Sequence, residues 1–208
     1  MRFFLDSASP EDARRVRDWG LLDGIWASPA AAEAAGLDYR RAVRELAGLT
    51  DGPVCVAPEG GEPKEMYKDS RELAKLGKDI VIALPIDPEG MRVARLLADD
   101  QIAICASGCY SAAQALIAAR TSVSYVAPSV GPLDAAGTIG MDLVEQVIRI
   151  YDNYGFQTQI LVADLKNPVH VLDAALMGAD VVSIPAEVCE QLFRHPLSRE
   201  RSTVRSTR

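Results

Sequence analysis

The sequence lacks several features that would assign a protein to a class at once. It has no run of about 18 consecutive apolar residues, so no transmembrane helix is predicted, and its first residues become charged too early for a secretory signal peptide. Its 22 basic and 29 acidic residues give a net charge of −7, which argues against nucleic acid as a partner. We therefore expect a cytoplasmic protein that binds neither nucleic acid nor a membrane.

Cysteine and histidine are scarce and poorly spaced for metal binding. The four cysteines include no CxxC pair, and neither His170 nor His195 stands at a ligand spacing from any of them. Three of the four lie in apolar, strand-like segments, where thiols are usually buried and unreactive. The sequence predicts reduced thiols, with no metal site and no cofactor.

Short apolar runs recur between longer amphipathic segments. Runs rich in Val, Ile and Ala without strict alternation are typical of strands buried on both faces of a parallel sheet. The predicted strands are 2–5, 24–27, 53–57, 80–84, 102–106, 123–127, 159–163 and 181–184. Eight β-then-α repeats predict an α/β fold, a single (β/α)8 TIM barrel over residues 1–197. An open doubly wound sheet is the alternative, but the glycine-rich first turn typical of that fold is absent.

The segments between the strands carry helical periodicity and helix-start signals. Ser9-Pro10-Glu11-Asp12, for example, combines a cap, a proline and first-turn acids. The predicted helices are 10–19, 39–46, 64–76, 88–98, 110–119, 141–154, 168–177 and 186–193. Residues 198–208 are polar and basic, and they are predicted to form a disordered tail.

Three strings resemble the transaldolase superfamily, in particular its small branch of fructose-6-phosphate aldolases. They are residues 3–8, 125–134 and above all 143–197, and the resemblance extends over roughly residues 1–197. It implies a barrel with its active site at the carboxyl ends of the strands. It also implies a homo-oligomer, of a size that is not predicted, because the final helix of that branch has no counterpart here.

The resemblance leaves few of the family's functional groups in place. Its first-strand acid falls on Asp6 and its strand-five hydroxyl on Ser107, but the lysine that forms a Schiff base falls on Ala83. Other positions have changed residue type: Trp26 for a threonine, Ser28 for an asparagine, Ala57 for the residue that handles water, Ser129 for a tyrosine, Pro132 for the phosphate-binding arginine and Asp164 for a serine. The basic residue near that serine falls on Lys166.

The remaining polar residues form the predicted site. Asp6 is the predicted acid or base, because burial at a barrel mouth raises a carboxyl pKa; its competing role is a cap for the helix at Pro10. Asp164 is either a second acid–base group, assisting with Ser107, or an ion-pair partner of Lys166. Trp26 is either a substrate platform or a core aromatic. The predicted substrate-binding residues are Trp26, Ser28, Ser129 and Lys166.

The changed phosphate site argues against a phosphosugar, because an arginine is lost and a carboxylate is gained. The sequence favours an enzyme of lyase, isomerase or cyclisation type. It would act by acid–base catalysis on a small, polar, non-phosphorylated carbonyl or amine substrate. Two alternatives remain open: a non-catalytic homologue with a binding or regulatory role, and an aldolase in which Lys166 replaces the imine lysine.

Overall fold

The computed structural model describes residues 1–121 and 123–198, in which strands and helices alternate. The strands are β1 Arg2–Asp6, β2 Gly24–Ala27, β3 Val54–Val56, β4 Ile80–Pro85, β5 Ala103–Cys109, β6 Tyr125–Pro128, β7 Gln159–Val162 and β8 Val181–Ile184. The helices are α1 Pro10–Asp18, α2 Pro29–Ala34, α3 Tyr39–Ala47, α4 Pro63–Ala74, α5 Pro88–Asp99, α6 Ala112–Arg120, α7 Val130–Ala135, α8 Gly140–Tyr154, α9 Pro168–Met177 and α10 Ala186–Leu192. None of the helices in these residues is both long and apolar enough to cross a membrane. The predicted tail lies outside the described residues beyond Ser198.

The strands form one closed barrel in chain order. β8 closes the ring by pairing in parallel with β1, where Val181 stands opposite Arg2 and Ile184 opposite Leu5. This architecture confirms the predicted (β/α)8 TIM barrel. The doubly wound alternative is wrong, because an open sheet would leave two strand edges unpaired.

Polar residues just after the strands begin several of the helices. Ser9 accepts a hydrogen bond from the Asp12 amide at 3.3 Å, and Asp87 accepts one from the Gly90 amide at 2.7 Å. Proline stands in the first turn of α1, α2, α4, α5 and α9, where its missing N–H leaves no hydrogen bond unmade. The sequence prediction missed α2 and α7, because six residues hold too little periodicity to reveal a helix.

Side chains along each strand alternate between the barrel interior and the helix layer. Phe4 and Cys55 belong to the interior cluster, whereas their neighbours Leu5 and Val56 pack beneath the helices. The pairing register sorts the interior residues into layers of four drawn from alternate strands. From the amino to the carboxyl ends of the strands, the layers are Gly24, Val81, Tyr125 and Val181; Phe4, Cys55, Cys105 and Leu161; Trp26, Ala83, Ala127 and Ser183; and Asp6, Ala57, Ser107 and Ala163.

Arg2 lies at the amino-terminal end of the barrel. Its guanidinium donates to Oε1 of Gln159 at 2.6 Å and to the hydroxyl of Tyr125 at 3.4 Å. The same group lies 5.6 Å and 5.8 Å from the ring centroids of Phe4 and Tyr125. Through these contacts, the polar groups of Arg2, Gln159 and Tyr125 are paired with one another. The polar groups of the interior that remain without such partners therefore lie towards the carboxyl ends of the strands. This end of the barrel is here called the mouth.

Candidate active site at the mouth of the barrel

Asp6 belongs to the layer nearest the mouth. In the pairing of β1 with β2, its Cα stands opposite that of Trp26, whose side chain belongs to the layer below. Burial raises the pKa of the Asp6 carboxyl to about 6, the nearby Asp164 carboxylate also raises it, and Lys166 lowers it. No hydrogen bond engages this carboxylate within residues 1–121 and 123–198. The role of helix cap is wrong for Asp6, because the hydroxyl of Ser9 caps α1. The carboxylate is thus available to a ligand.

Asp164 and Lys166 follow β7 and lie against the same residue of α7, Gly131. A Cβ atom on Gly131 would stand 2.8 Å from the backbone oxygen of Asp164 and 2.9 Å from Cε of Lys166. Only glycine therefore permits this close approach of α7. Asp164 has a φ of 59°, a left-handed conformation that is uncommon for a residue with a side chain and is concentrated at functional sites.

Asp6, Asp164 and Lys166 form a charged cluster at the mouth. They come together because β1 and β7 are separated in the ring only by β8. The alternative in which Asp164 serves as the ion-pair partner of Lys166 is not observed: the part of the chain that the structure describes has no ion pair for either residue. Asp6 and Asp164 are half-buried, whereas Lys166 is exposed. Carboxylates that stay unpaired where water is partly excluded are costly, and such groups are typical of sites that bind a ligand.

The three serines of the predicted site differ in how their hydroxyls are engaged. Ser107 donates to the carbonyl of Leu84 at 3.1 Å, which leaves its oxygen free to accept a hydrogen bond. Ser28 accepts from the Ala31 amide at 3.1 Å and so caps α2, which leaves its proton free to be donated. Ser129 is 5% exposed and precedes α7, and its hydroxyl does not cap that helix.

Trp26 supplies the bulk of its interior layer, since Ala83, Ala127 and Ser183 are all small. It packs against the interior cluster that contains Ala83, yet it is only half-buried. Ala83 is 3% exposed and carries no reactive group. The layer below Asp6 is therefore mainly apolar, with an indole as its largest side chain.

Ser183 is a member of this layer that the sequence analysis overlooked. It is 1% exposed, and its hydroxyl has no hydrogen-bond partner among the described residues. Its neighbours Val182 and Ile184 pack beneath the helices, so Ser183 faces the barrel interior beside Phe4. The available signal was one polar residue within an apolar strand.

Tyr39 was overlooked as well, because an aromatic residue on an amphipathic helix is most often part of the core. Its hydroxyl donates to the carbonyl of Ala57 at 2.8 Å and accepts from the amide of the same residue at 3.0 Å. It also lies 3.4 Å from the carbonyl of Ala27. Burial raises the pKa of Tyr39 well above its usual value, so the phenol stays protonated and holds the ends of β2 and β3 together.

The thiols of the barrel show no sign of reactivity. Cys55, Cys105 and Cys109 are buried and unpaired. Burial, and then the neighbouring Cys55, raise the pKa of Cys105 well above its usual value, so its nucleophilic thiolate form is scarce at neutral pH. Among residues 1–121 and 123–198, no three His, Cys, Asp or Glu side chains are grouped as a metal centre requires.

Comparison with known proteins shows that one protein family matches almost the whole of this chain. The family described as transaldolase/fructose-6-phosphate aldolase matches residues 3–207. A probable transaldolase of Hydrogenobaculum sp. is 40% identical over 198 residues, which are 95% of this chain and 91% of that protein. Probable transaldolases of Aquifex aeolicus and Methanococcus maripaludis are 39% and 38% identical over 95% of this chain, and over 91% and 92% of their own lengths.

A solved structure supports the architecture. Thiamine phosphate pyrophosphorylase from Pyrococcus furiosus superposes with a TM-score of 0.66 over 89% of this chain and 85% of that protein. Its sequence is 18% identical, so this likeness concerns the barrel fold alone.

Proposed function

Because the chain belongs to the transaldolase/fructose-6-phosphate aldolase family, we propose that it is a divergent enzyme of this family with altered chemistry. Its substrate is a small, polar, non-phosphorylated carbonyl or amine compound. The reaction is of lyase, isomerase or cyclisation type, with Asp6 as the acid–base group and no Schiff base. Family membership supports a small-molecule substrate, and the residues at the mouth support the departure from imine chemistry.

The observation that carries this proposal is the state of the Asp6 carboxyl. A pKa of about 6 lets both the protonated and the ionised forms be populated near neutral pH. A group that takes a proton and later returns it needs this balance. The carboxyl also accepts no hydrogen bond from the residues that the structure describes, and Asp6 is only half-buried, which leaves it open to a substrate.

The charged cluster suits proton transfer next to a carbonyl group. Asp6 would remove a proton from the carbon beside the carbonyl; the C–H electrons form a C=C bond, and the carbonyl electrons move to oxygen. The ammonium of Lys166 would stabilise the negative oxygen that results. Ser107 and Ser129 would orient the hydroxyl groups of the substrate. Return of the proton to the former carbonyl carbon, while a hydroxyl on the deprotonated carbon loses its own proton and becomes the new carbonyl, gives an isomerised product. Loss of a leaving group from the carbon next to the deprotonated one gives a lyase product instead.

The negative charge of Asp164 argues against a phosphate group on the substrate. Its backbone lies against Gly131 at the start of α7, where the resemblance puts the phosphate site of the family. A carboxylate and a phosphate dianion a few ångströms apart repel by several kcal/mol where water is partly excluded. Pro132 offers no charge to offset that repulsion. Two carboxylates beside one ammonium favour a neutral polyol or an amino compound instead.

The residue at the position of the imine lysine is the second feature in which this chain differs from the family it belongs to. With Ala83 at that place, the barrel interior offers no amine there for a carbonyl substrate. Lys166 is the competing candidate, and its lack of an ion-pair partner in residues 1–121 and 123–198 favours it. However, Lys166 is exposed, whereas an imine-forming lysine is usually activated by burial or by a nearby cation.

Hydrogen–deuterium exchange tests the acid–base role. Wild-type protein would be incubated in D2O with dihydroxyacetone, hydroxyacetone and aminoacetone, and NMR would follow the protons beside the carbonyl. We expect faster exchange than in buffer, and a loss of about 100-fold or more in Asp6→Asn. The matched control is Asp142→Asn, an exposed carboxylate on α8, which should leave the rate unchanged. Exchange that persists in Asp6→Asn contradicts the proposal, and no exchange with any compound favours the non-catalytic alternative.

Borohydride trapping tests the imine alternative separately. The protein would be treated with sodium borohydride in the presence of dihydroxyacetone or fructose 6-phosphate, and its intact mass measured. We expect no added mass. An adduct that is absent from Lys166→Ala but present in Lys64→Ala, an exposed lysine on α4, would establish Lys166 as an imine lysine and overturn our proposal.

A further inference from the structure

A second polar surface lies outside the barrel, far from the mouth residues in sequence. It is a groove of about 720 Å³ between one face of α5 and the end of α6. Arg92 and Arg95 of α5 and Arg120 of α6 line it, together with Asp99 and the apolar side chains of Pro88 and Met91. None of these residues belongs to the site described above.

The helical repeat explains why the arginines converge. Residues 88, 91, 92, 95 and 99 are separated by steps of three or four, or lie next to one another, so they occupy one face of α5. Arg120 is the last residue of α6, and it reaches the groove from the opposite wall. Two elements therefore place three arginines around one space.

Two of the three guanidinium groups form no ion pair with the residues that the structure describes. Arg92 pairs with Glu89 at 3.4 Å on the exposed surface. Arg95 and Arg120 have no ion pair within the described ranges, although Asp99 stands one helical turn from Arg95. A concentration of cations like this runs against the charge of the chain as a whole, which is −7. Arg95 and Arg120 form no ion pair with a carboxylate among the described residues, and such arginines are suited to an external anion.

We propose that this groove binds a small ligand that carries two or more linked phosphate groups. Each guanidinium presents a planar fork that matches two phosphate oxygens, so Arg95 and Arg120 can hold a diphosphate from opposite walls, while Arg92 adds positive charge beside them. Pro88 and Met91 provide an apolar contact for the rest of the ligand. The volume of the groove falls within the range of small-molecule sites.

Binding of inorganic pyrophosphate by isothermal titration calorimetry tests the proposal. We expect the wild type to bind it, and orthophosphate to bind about tenfold or more weakly. Arg95→Gln and Arg120→Gln should each weaken pyrophosphate binding about fivefold or more. Arg149→Gln, an exposed arginine on α8, is the matched control and should leave the affinity unchanged.

Two carboxylate variants test the opposite effect, a gain in pyrophosphate affinity. Asp99→Asn removes the negative charge that lines the groove and should strengthen pyrophosphate binding. Asp142→Asn changes the net charge equally but lies on α8, so it should have no effect. If both variants strengthen binding equally, the anion responds only to net charge and the proposal is wrong.

Two further results would overturn the proposal. One is the absence of wild-type binding at pyrophosphate concentrations up to about 10 mM. The other is a loss of binding in Lys166→Gln as large as that in Arg95→Gln, which would place the anion at the mouth. The groove variants leave the mouth intact, so failure here and failure of the proposed acid–base function remain distinguishable.

Discussion

The Asp6 and Asp164 carboxylates repel each other at the mouth, and this repulsion adds to burial in raising the pKa of Asp6 to about 6. Lys166 acts in the opposite direction, but it does not restore the usual acidity of Asp6. The pair thus resembles other sites in which a neighbouring charge and desolvation together shift a carboxyl towards neutral pH. The proton affinity of Asp6 on β1 depends on Asp164 and Lys166 after β7, so changes at those two residues should alter it in predictable directions.

Opposite shifts of the Asp6 pKa are expected from the two neighbouring charges. Asp164→Asn removes a negative charge and should lower the pKa, though not to its usual value, because burial remains. Lys166→Gln removes a positive charge and should raise the pKa above about 6. NMR titration of the ¹³C-labelled carboxyl would measure both. Shifts in the same direction would show that the three groups do not interact as the structure indicates.

The Asp6 carboxyl should also make stability depend on pH. Its pKa is about 6 in the folded state and about 3.8 in an unfolded chain, so between these values the folded state binds more protons. The free energy of unfolding should therefore fall as pH rises through this window, by about 2 kcal/mol once its partial exposure is allowed for. The stabilising contribution is present in full below the lower value and is lost above the higher one.

Asp6→Asn is the variant that isolates this effect, because the amide cannot ionise. We expect it to match the wild type near pH 4 and to be more stable by about 2 kcal/mol above pH 7. Urea unfolding at several pH values measures the difference, with Asp142→Asn as the control that should keep the pH trend of the wild type. A gain in Asp6→Asn that is the same at every pH would point to packing instead of charge.

The barrel itself could be predicted from the sequence because each strand is a short apolar run between helical segments. All eight predicted strands are present, with bounds that differ by a few residues at most; for example, the run 102–106 corresponds to β5 at Ala103–Cys109. Hydrophobic periodicity determines where a strand lies, and a parallel ring follows once eight such strands alternate with helices.

The site was harder to predict, because it depends on contacts between distant residues. Ser28-Pro29 carries the same cap-and-proline signal as Ser9-Pro10, so its capping role could have been predicted. In contrast, no local pattern reveals the left-handed backbone of Asp164. The orphaned hydroxyl of Ser183 depends on what surrounds it in the folded barrel, which a sequence without a fold cannot supply.

Ser183 should reduce the stability of the protein in the absence of a ligand. A buried hydroxyl without a partner costs about 1–3 kcal/mol, so Ser183→Ala should leave stability unchanged or raise it by about 1 kcal/mol. Thr158→Val is the matched comparison, since that buried hydroxyl donates to the carbonyl of Val123 at 2.9 Å. It should be destabilising by about 1 kcal/mol or more, because the carbonyl loses its partner. Urea unfolding measures both, and a large loss in Ser183→Ala would mean that its hydroxyl is satisfied after all.

Gly131 should be the least replaceable residue of the turn that holds the charged cluster. In Gly131→Ala the new Cβ would meet the backbone oxygen of Asp164 at 2.8 Å, which a side-chain rotation cannot relieve. We expect a loss of about 1–3 kcal/mol in the free energy of unfolding. We also expect a changed Asp6 pKa, because Asp164 and Lys166 must move. Gly61→Ala is the control, since its added Cβ meets nothing within 4 Å and its stability should change little. If Gly131→Ala is destabilised while the Asp6 pKa stays the same, the position of α7 matters for folding but not for the cluster.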